Sequence, residues 1–346
     1  MSGIQGSATA AHAPAIHVLS TMCFDDDWLA EIAGASPRIV ISQHPAATLD
    51  ELPPAVLARA EVLYTSSCFP TRAQAPSLRW VQLDTSGADH LTATALWGEA
   101  GIAVTSIGGV SPRPIAAYVM MMVLSFAHSL PRLLEHQRRH DWPTPSDRWE
   151  RFMPRRLENS RMVIVGYGRL GRAIATAAQG FGIAVTGIRR GGARPGARFG
   201  DKLNPEGVEL LPQDRLEQAL ARADHIVVAV PLTGETRGLL GSSAFAATKP
   251  GATLINVSRG GVIDETAMLH ALADGTLAHV ASDVFEREPL PGDSPLWDDH
   301  RVIVTPHIAG FAPDYAQQVC ALFRANLERY ATGRPLANLI DRALGY

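Results

Sequence analysis

A chain of 346 residues has room for about two domains and a large buried core. With 46% hydrophobic and 19% charged residues and a formal charge of −3, its composition is globular, and nothing in its charge favours nucleic acid or an anionic membrane. Its 3 cysteines, Cys23, Cys68 and Cys320, lie far apart without a CxxC pair, which argues against a disulfide scaffold or a zinc site and fits the reduced cytoplasm.

The opening stretch "MSGIQGSATAAHAPA" has no basic region and no long apolar run, so we expect a short tail rather than a secretory signal. From Ile16 to about Ser106, short β-rich runs alternate with helical stretches. "IHVLS", "RIVIS", "VLYTSS", "WVQLD" and "IAVTS" read as strands; "DDDWLAEIAG", "PPAVLARA", "RAQAPSL" and "TATALWGEAG" read as helices. Such alternation implies a parallel sheet covered on both faces.

A helical stretch follows from about Pro112 to His140, and its run "IAAYVMMMVLSFAHSL" is too short and punctuated for a membrane span. The Trp/Pro/Arg-rich segment "HDWPTPSDRWERFMPRRLENS" shows no apolar periodicity. A second alternating series then runs through "RMVIVGYGRLG", "IAVTGIRR", "HIVVAVPL", "ATLINVS", "HVASDVF" and "RVIVTPH". The last helix, in "PDYAQQVCALFRANLERYATG", carries Val319, Leu322 and Leu327 near helical spacing. The fold class is therefore α/β, with two doubly wound parallel-sheet domains. The second is inserted late in the first, and the last helix returns to the first. The boundaries we expect are 1–106 plus 307–346 for one domain and 107–306 for the other.

"MVIVGYGRLGRAIA" is a strand, a GxGxxG turn and an alanine-rich helix. Gly166 permits the tight turn, Gly168 lets a pyrophosphate approach the backbone, and Gly171 lets the helix pack on the strand. The helix N-terminus then offers free N–H groups to the phosphate. GxGxxG alone is weak evidence, but the strand before it and the helix after it point to a dinucleotide site. No Asp or Glu occurs from Arg161 to Gly200 to hold a ribose 2′-OH, whereas Arg189, Arg190, Arg194 and Arg198 cluster there. The choice is between a solvated basic loop and a 2′-phosphate site. The expectation is NADP(H), with Arg189 and Arg190 on the 2′-phosphate, and NAD(H) as the other option.

Three later strand ends carry polar residues that a core strand would not choose. They present Arg259 after "INVS", Asp283 followed by Glu286 and Glu288 in "SDVFEREP", and His307 in "VTPHIAG". In open α/β sheets, ligands bind beyond the carboxyl ends of the strands, so these groups should converge near a nicotinamide. Arg259 can grip a carboxylate in a fork and polarise an adjacent ketone. An imidazole can give or take a hydroxyl proton, and Glu288 beside His307 would fix its tautomer. Taken singly, Arg259 could be a salt-bridging surface residue and either glutamate a solvated charge; in succession after a dinucleotide loop they suit reduction of a 2-oxo acid.

In order and spacing, the glycine loop, "VAVPLTGETRGLL", "INVSRGGVIDE", "SDVFEREPLPGDSPLW" and "VTPHIAG" resemble the NAD(P)-dependent D-isomer specific 2-hydroxyacid dehydrogenases, glyoxylate/hydroxypyruvate reductases among them. The resemblance is specific from Met162 to Gly310 and weaker before it. It implies a discontinuous flavodoxin-like substrate domain around an inserted Rossmann domain, usually as a homodimer. It assigns substrate binding to Arg259, acid/base chemistry to His307 and the partner role to Glu288. Arg169, Leu170, Val230, Pro231, Thr236, Val257, Ser258, Asp283, His307 and Gly310 would contact the cofactor, Asp283 on the nicotinamide side. In "WVQLDTSGADHL", backbone N–H groups near Ser86 and Gly87 would hold the substrate carboxylate. One departure is Ile115-Ala116-Ala117, where relatives often read Val-Ala-Glu; it puts a packing or hinge contact in doubt.

The methionines 120–122 and the segment bearing Trp142 and Trp149 fall where the family has its dimer arm. They read as core or interface; Trp142 reaching a neighbouring subunit's site is a further option. Around Tyr64-Thr65-Ser66-Ser67-Cys68 there is no Arg or Lys, which disfavours a phosphorylated substrate or phosphite. A small uncharged tail, as in glyoxylate or hydroxypyruvate, fits better; a dehydrogenase for another 2-hydroxy acid, or for phosphite, is the alternative within this chemistry. Two other readings are a dinucleotide-sensing scaffold of the corepressor type and, last, a hydrolase holding NAD; no long partner-recruiting tail is apparent after the last helix.

Overall fold

The computed structural model describes residues 14–191 and 207–346, so the expected roles of Arg194 and Arg198 lie outside the described residues. The chain divides into two compact units, Met1–Val110 with Pro313–Tyr346, and Ser111–Ala312.

The first unit is built on five parallel strands: β1 (Ile16–Ser20), β2 (Ile39–Gln43), β3 (Val62–Thr65), β4 (Trp80–Leu83) and β5 (Ala103–Thr105). Their order is β2-β1-β3-β4-β5, the flavodoxin-like arrangement. Alternate residues feed the two faces. Leu19, Leu63, Val81 and Leu83 enter one core. Val18, Val62, Tyr64 and Trp80 enter the other. Burial on both faces is why these strands read as continuous apolar runs. The helix Tyr315–Ala331 returns to this unit, where Phe323 meets the rings of Tyr64 and Trp80 at 4.8 and 5.8 Å.

The second unit carries seven parallel strands: β6 (Arg161–Val165), β7 (Ala184–Arg189), β8 (Glu209–Pro212), β9 (His225–Val228), β10 (Ala252–Asn256), β11 (Leu277–Ser282) and β12 (Val302–Val304). The order β12-β11-β10-β9-β6-β7-β8 is the Rossmann arrangement extended by one strand. Val163 and Val165 of β6 enter one core, Met162 and Ile164 the other. The helix Pro112–Ala127 packs in the latter core with the helix Arg169–Gln179. Among the described residues no single helix is long and apolar enough to cross a membrane.

Several elements differ from expectation. Residues 72–78 form turns, not a helix. Pro76 interrupts the run, and Gln74 Oε1 accepts from both the amide and the hydroxyl of Thr71. Residues 92–101 hold only the 3₁₀ turn Ala95–Gly98, because the Thr92 and Thr94 hydroxyls bond to nearby carbonyls and two glycines follow. The stretch from Pro112 breaks into Pro112–Ala127 and Leu130–Arg138 at Ser129, whose φ is 54°. The edge strand β8 and the Thr144-capped helix Pro145–Arg151 go unannounced in the sequence, being too short for a period to show. The unit junctions fall at 110/111 and 312/313 rather than 106/107 and 306/307. The His307 segment stays with the second unit because its backbone is bonded to Asp283.

Candidate active site

The glycine loop leaves β6 beside the start of the segment after β9, where the strand order reverses. That switch point is where doubly wound sheets bind ligands. Each glycine meets a different constraint. Gly166 has φ +103°, and a Cβ there would lie 2.5 Å from the Ala229 carbonyl. A Cβ on Gly171 would lie 2.6 Å from Gly166 O, so only glycine lets the helix Arg169–Gln179 sit this close to the turn. At Gly168 a Cβ would meet nothing within 4 Å: this is the open side of the turn, at the helix N-terminus. A crowded first and third glycine around an open second one is a cradle of the shape a pyrophosphate requires. Arg169 and Leu170 form the first turn of that helix. Gly187 in β7 escapes sequence reasoning; its Cβ would lie 2.4 Å from the Tyr167 ring, and a glycine inside a strand is the available signal.

Arg189 ends β7, and Arg190 pairs with Glu235. The loop after β9 is held by its own hydroxyl: Thr236 Oγ1 donates to Pro231 O at 2.6 Å and accepts the Thr233 N–H at 2.8 Å. Val230 and Pro231 are half-buried there, while Val257 and Ser258 beyond β10 are buried.

Beyond β10 the chain turns on Asn256, which sequence reasoning misses. Its Oδ1 accepts both the amide (3.1 Å) and the hydroxyl (2.9 Å) of Ser258, and its Nδ2 donates to Arg259 O at 3.3 Å. The Arg259 guanidinium donates to Ser258 O at 2.8 Å. At the next residue, a Cβ on Gly260 would stand 1.8 Å from the Phe285 carbonyl carbon. The loops beyond β10 and β11 therefore abut backbone to backbone, which brings Arg259 and the glutamate segment onto one sheet edge.

Glu288 and His307 are in direct contact: Glu288 Oε2 lies 2.8 Å from His307 Nδ1, and its Oε1 accepts the Phe285 N–H at 3.0 Å. A carboxylate only accepts, so Nδ1 carries the proton and Nε2 is the nitrogen left for a ligand. The imidazole is half-exposed, so a ligand can reach it. His307 has φ 55°, a left-handed conformation that costs about 1 kcal/mol outside glycine.

Asp283 maintains that conformation. Its carbonyl accepts the His307 N–H at 2.9 Å. Its carboxylate accepts from the Thr305 hydroxyl at 2.6 Å, the Ile308 N–H at 2.9 Å and the Ala309 N–H at 2.8 Å. Tyr118 OH lies 2.7 Å from Thr305 Oγ1. Burial pushes the phenol up to about 12, so it keeps its proton at neutral pH; since Thr305 donates to Asp283, Tyr118 donates to Thr305. Sequence reasoning singles out neither Thr305 nor Tyr118. Tyr118 adjoins exposed Ala117, where the resemblance marks a missing glutamate, and its phenol joins this helix to the histidine loop. A Cβ on Gly310 would lie 3.4 Å from the Ser111 side chain, an ordinary contact.

In the first unit, the loop after β4 turns on Thr85, whose hydroxyl donates to Gly87 O at 2.8 Å. Among the described residues the amides of Ser86 and Gly87 make no hydrogen bond, an arrangement able to receive an anion. Beside it Tyr64 donates to Asp84, whose carboxyl burial pushes above the usual carboxylate range.

The sequence family described as "D-isomer specific 2-hydroxyacid dehydrogenase, NAD binding domain" matches residues 120–309. A glyoxylate reductase of Korarchaeum cryptofilum is 31% identical over 273 residues, covering 78% of this chain and 77% of the relative. A glyoxylate/hydroxypyruvate reductase B of Yersinia pestis is 32% identical over 270 residues, 77% of this chain and 78% of the relative. Among solved structures, a D-isomer specific 2-hydroxyacid dehydrogenase from Xanthobacter autotrophicus Py2, in complex with NADPH and MES, is 30% identical with a TM-score of 0.79, covering 96% of this chain and 100% of that one.

Proposed function

Because the chain belongs to the D-isomer specific 2-hydroxyacid dehydrogenase family, we propose that it reduces a small 2-oxo acid of the glyoxylate or hydroxypyruvate class, with NADPH as the hydride donor. The observation that carries the reading is the Glu288–His307 contact at 2.8 Å, which leaves Nε2 of a half-exposed imidazole facing outward. Gly166, Gly168 and Gly171 fit the dinucleotide pyrophosphate, and Arg189 and Arg190 are assigned to the 2′-phosphate; Arg190 would have to leave Glu235 to serve. When bound, the reduced nicotinamide supplies a hydride to C2 of the substrate. Arg259 grips the substrate carboxylate in a fork and polarises the neighbouring ketone. His307, entering this step protonated on both ring nitrogens, gives its Nε2 proton to the carbonyl oxygen as the alkoxide forms. It is left neutral with its Nδ1 proton directed at Glu288, which holds the ring and offsets its charge before the transfer. Asp283 is assigned to positioning that ring.

The relatives named as glyoxylate and hydroxypyruvate reductases support the substrate class, and the relative crystallised with NADPH supports the cofactor. Exposed Leu133, Leu134, Trp142, Trp149 and Met153 suit burial by a second copy of the chain, a homodimer that sedimentation would detect. The deciding experiment is a panel of 2-oxo acids assayed with NADPH and NADH. Glyoxylate or hydroxypyruvate should be turned over best, with kcat/KM higher for NADPH. Equal or better use of NADH would overturn the cofactor assignment, and no turnover of either acid would overturn the substrate assignment.

A further inference from the structure

The N-terminal ends of the second unit's strands, opposite the end bearing Arg259, Glu288 and His307, hold a cluster that the reaction does not use. A cavity of about 270 Å³ opens there, lined by Phe126, Arg155, Arg156, His225 and His279 among others. A second, of about 440 Å³, shares Phe126, Arg155 and His279 and adds Arg132, Arg151 and Arg301. β9, β10 and β11, which run between the two ends, are four, five and six residues long, so roughly 13–20 Å separates this edge from the candidate active site.

Two features point to a ligand. First, His225 is only 9% exposed, yet neither of its ring nitrogens is hydrogen-bonded among the described residues, and the same holds for His279. Nδ1 of each is wholly buried without a partner. Burial, with Arg155 nearby, pushes both imidazoles down to about 4, so each is neutral at pH 7 and carries one N–H. An orphaned N–H costs more than an orphaned lone pair, so the proton belongs on Nε2, the ring nitrogen that is not wholly buried, in two residues that line the cavity. Second, the charges facing these rings are predominantly guanidinium. Asp224 is already held by Lys249 and the Arg161 N–H, Arg301 by Asp299 and Arg151 by Asp147, while Glu158 is the other acid on the lining. Arg155 gives one N–H to Gly251 O at 3.2 Å and has further donors, Arg132 stacks on Phe152, and Arg156 has no ion-pair partner among the described residues.

We propose that this edge binds a small multivalent oxyanion of the phosphate type, distinct from both the dinucleotide and the 2-oxo acid. A lining of imidazole N–H and guanidinium donors suits an acceptor-only ligand, and forked guanidinium donors match phosphoryl oxygens. Arg155 and His279 belong to both cavities, so a ligand with two phosphoryl groups can span them.

The test uses the intact protein with NADP⁺ in excess, so that the glycine loop is filled, and titrates inorganic pyrophosphate against potassium chloride of matched ionic strength by calorimetry. Saturable binding, weakened at least tenfold by Arg155→Gln and by Arg132→Gln with NADPH affinity unchanged, is the expected result. Both side chains are exposed, so neither variant should disturb folding. Four results would each overturn the proposal: no heat beyond the chloride control, binding indifferent to Arg155→Gln, binding that disappears as NADP⁺ is raised, or absent binding together with a dimer that Arg155→Gln dissociates. The last would mean that a second copy fills the cavities.

Discussion

Asp283→Asn tests whether this carboxylate orients the histidine. Asp283 is 2% exposed and its two side-chain oxygens accept three donors, at 2.6, 2.9 and 2.8 Å. An amide retains one oxygen and turns an NH₂ toward at least one of them. A buried donor left facing a donor costs about 1–3 kcal/mol, and the remaining bonds lose their charge assistance, about 1 kcal/mol more. Roughly 2–4 kcal/mol is thus removed from the restraint on a left-handed His307. Some of it is recovered as the loop relaxes, so kcat should fall about 10–100-fold, at about 1.4 kcal/mol per decade. KM for NADPH should move by less than about threefold if the role is positioning. Thr305→Val and Tyr118→Phe, one and two links further out, should lower kcat progressively less. The assay is NADPH consumption with glyoxylate, alongside thermal unfolding. A kcat within twofold of the parent, or a loss confined to KM for NADPH, would refute the positioning role and return Asp283 to the nicotinamide contact suggested by family resemblance.

Gly260→Ala should lower both Tm and kcat, because its Cβ would fall 1.8 Å from the Phe285 carbonyl carbon and one backbone must move, at a cost of about 1–3 kcal/mol or more. Gly168→Ala should unfold like the parent yet bind NADPH at least about tenfold more weakly, whereas Gly171→Ala should lose stability, its Cβ lying 2.6 Å from Gly166 O; fluorescence titration and thermal melts separate the two. Arg189→Ala should reduce the NADPH-over-NADH ratio of kcat/KM by about 10–100-fold, the worth of one charge-assisted contact; an unchanged ratio would remove Arg189 from the 2′-phosphate. Burial pushes His225 and His279 down to about 4 from an ordinary 6.5. The unfolded chain therefore binds protons that the folded chain refuses as pH falls through that window. Stability declines from about pH 6.5 to about pH 4, by at most about 3 kcal/mol from His225 and less from the more exposed His279. Urea unfolding should show a shallower decline for His225→Gln, and parallel curves would contradict this.

The parts of the fold legible in the sequence are those whose cause is local. The inner strands of both sheets are buried on two faces and announce themselves as continuous apolar runs, whereas the half-exposed edge strand β8 does not. The glycine spacing at 166, 168 and 171 encodes a turn, an open approach and a close packing that lie within six residues of each other. The misreadings are local conflicts too: at 72–78 and 92–101 the composition suits a helix, but Pro76 and the threonine hydroxyls offer the backbone other partners.

What the sequence hides is what holds the site in shape, because it joins residues far apart in the chain. Tyr118 meets Thr305 across 187 positions, and Thr305 meets Asp283 across 22. Nothing in "IAAYVMM" distinguishes a phenol that reaches the histidine loop from one that fills the core. Gly260 likewise reads as a turn glycine, and only its collision with Phe285 reveals that two strand-end loops touch there. Every bond that sets the imidazole, from Asp283, Glu288, Thr305 and Tyr118, arises within residues 111–312, the unit that also contains the glycine loop. The geometry of the proposed proton donor is thus set by the same sheet that presents the dinucleotide cradle. A carboxylate that would otherwise be an unexplained buried charge on β11's exit is the group that makes a strained histidine tolerable.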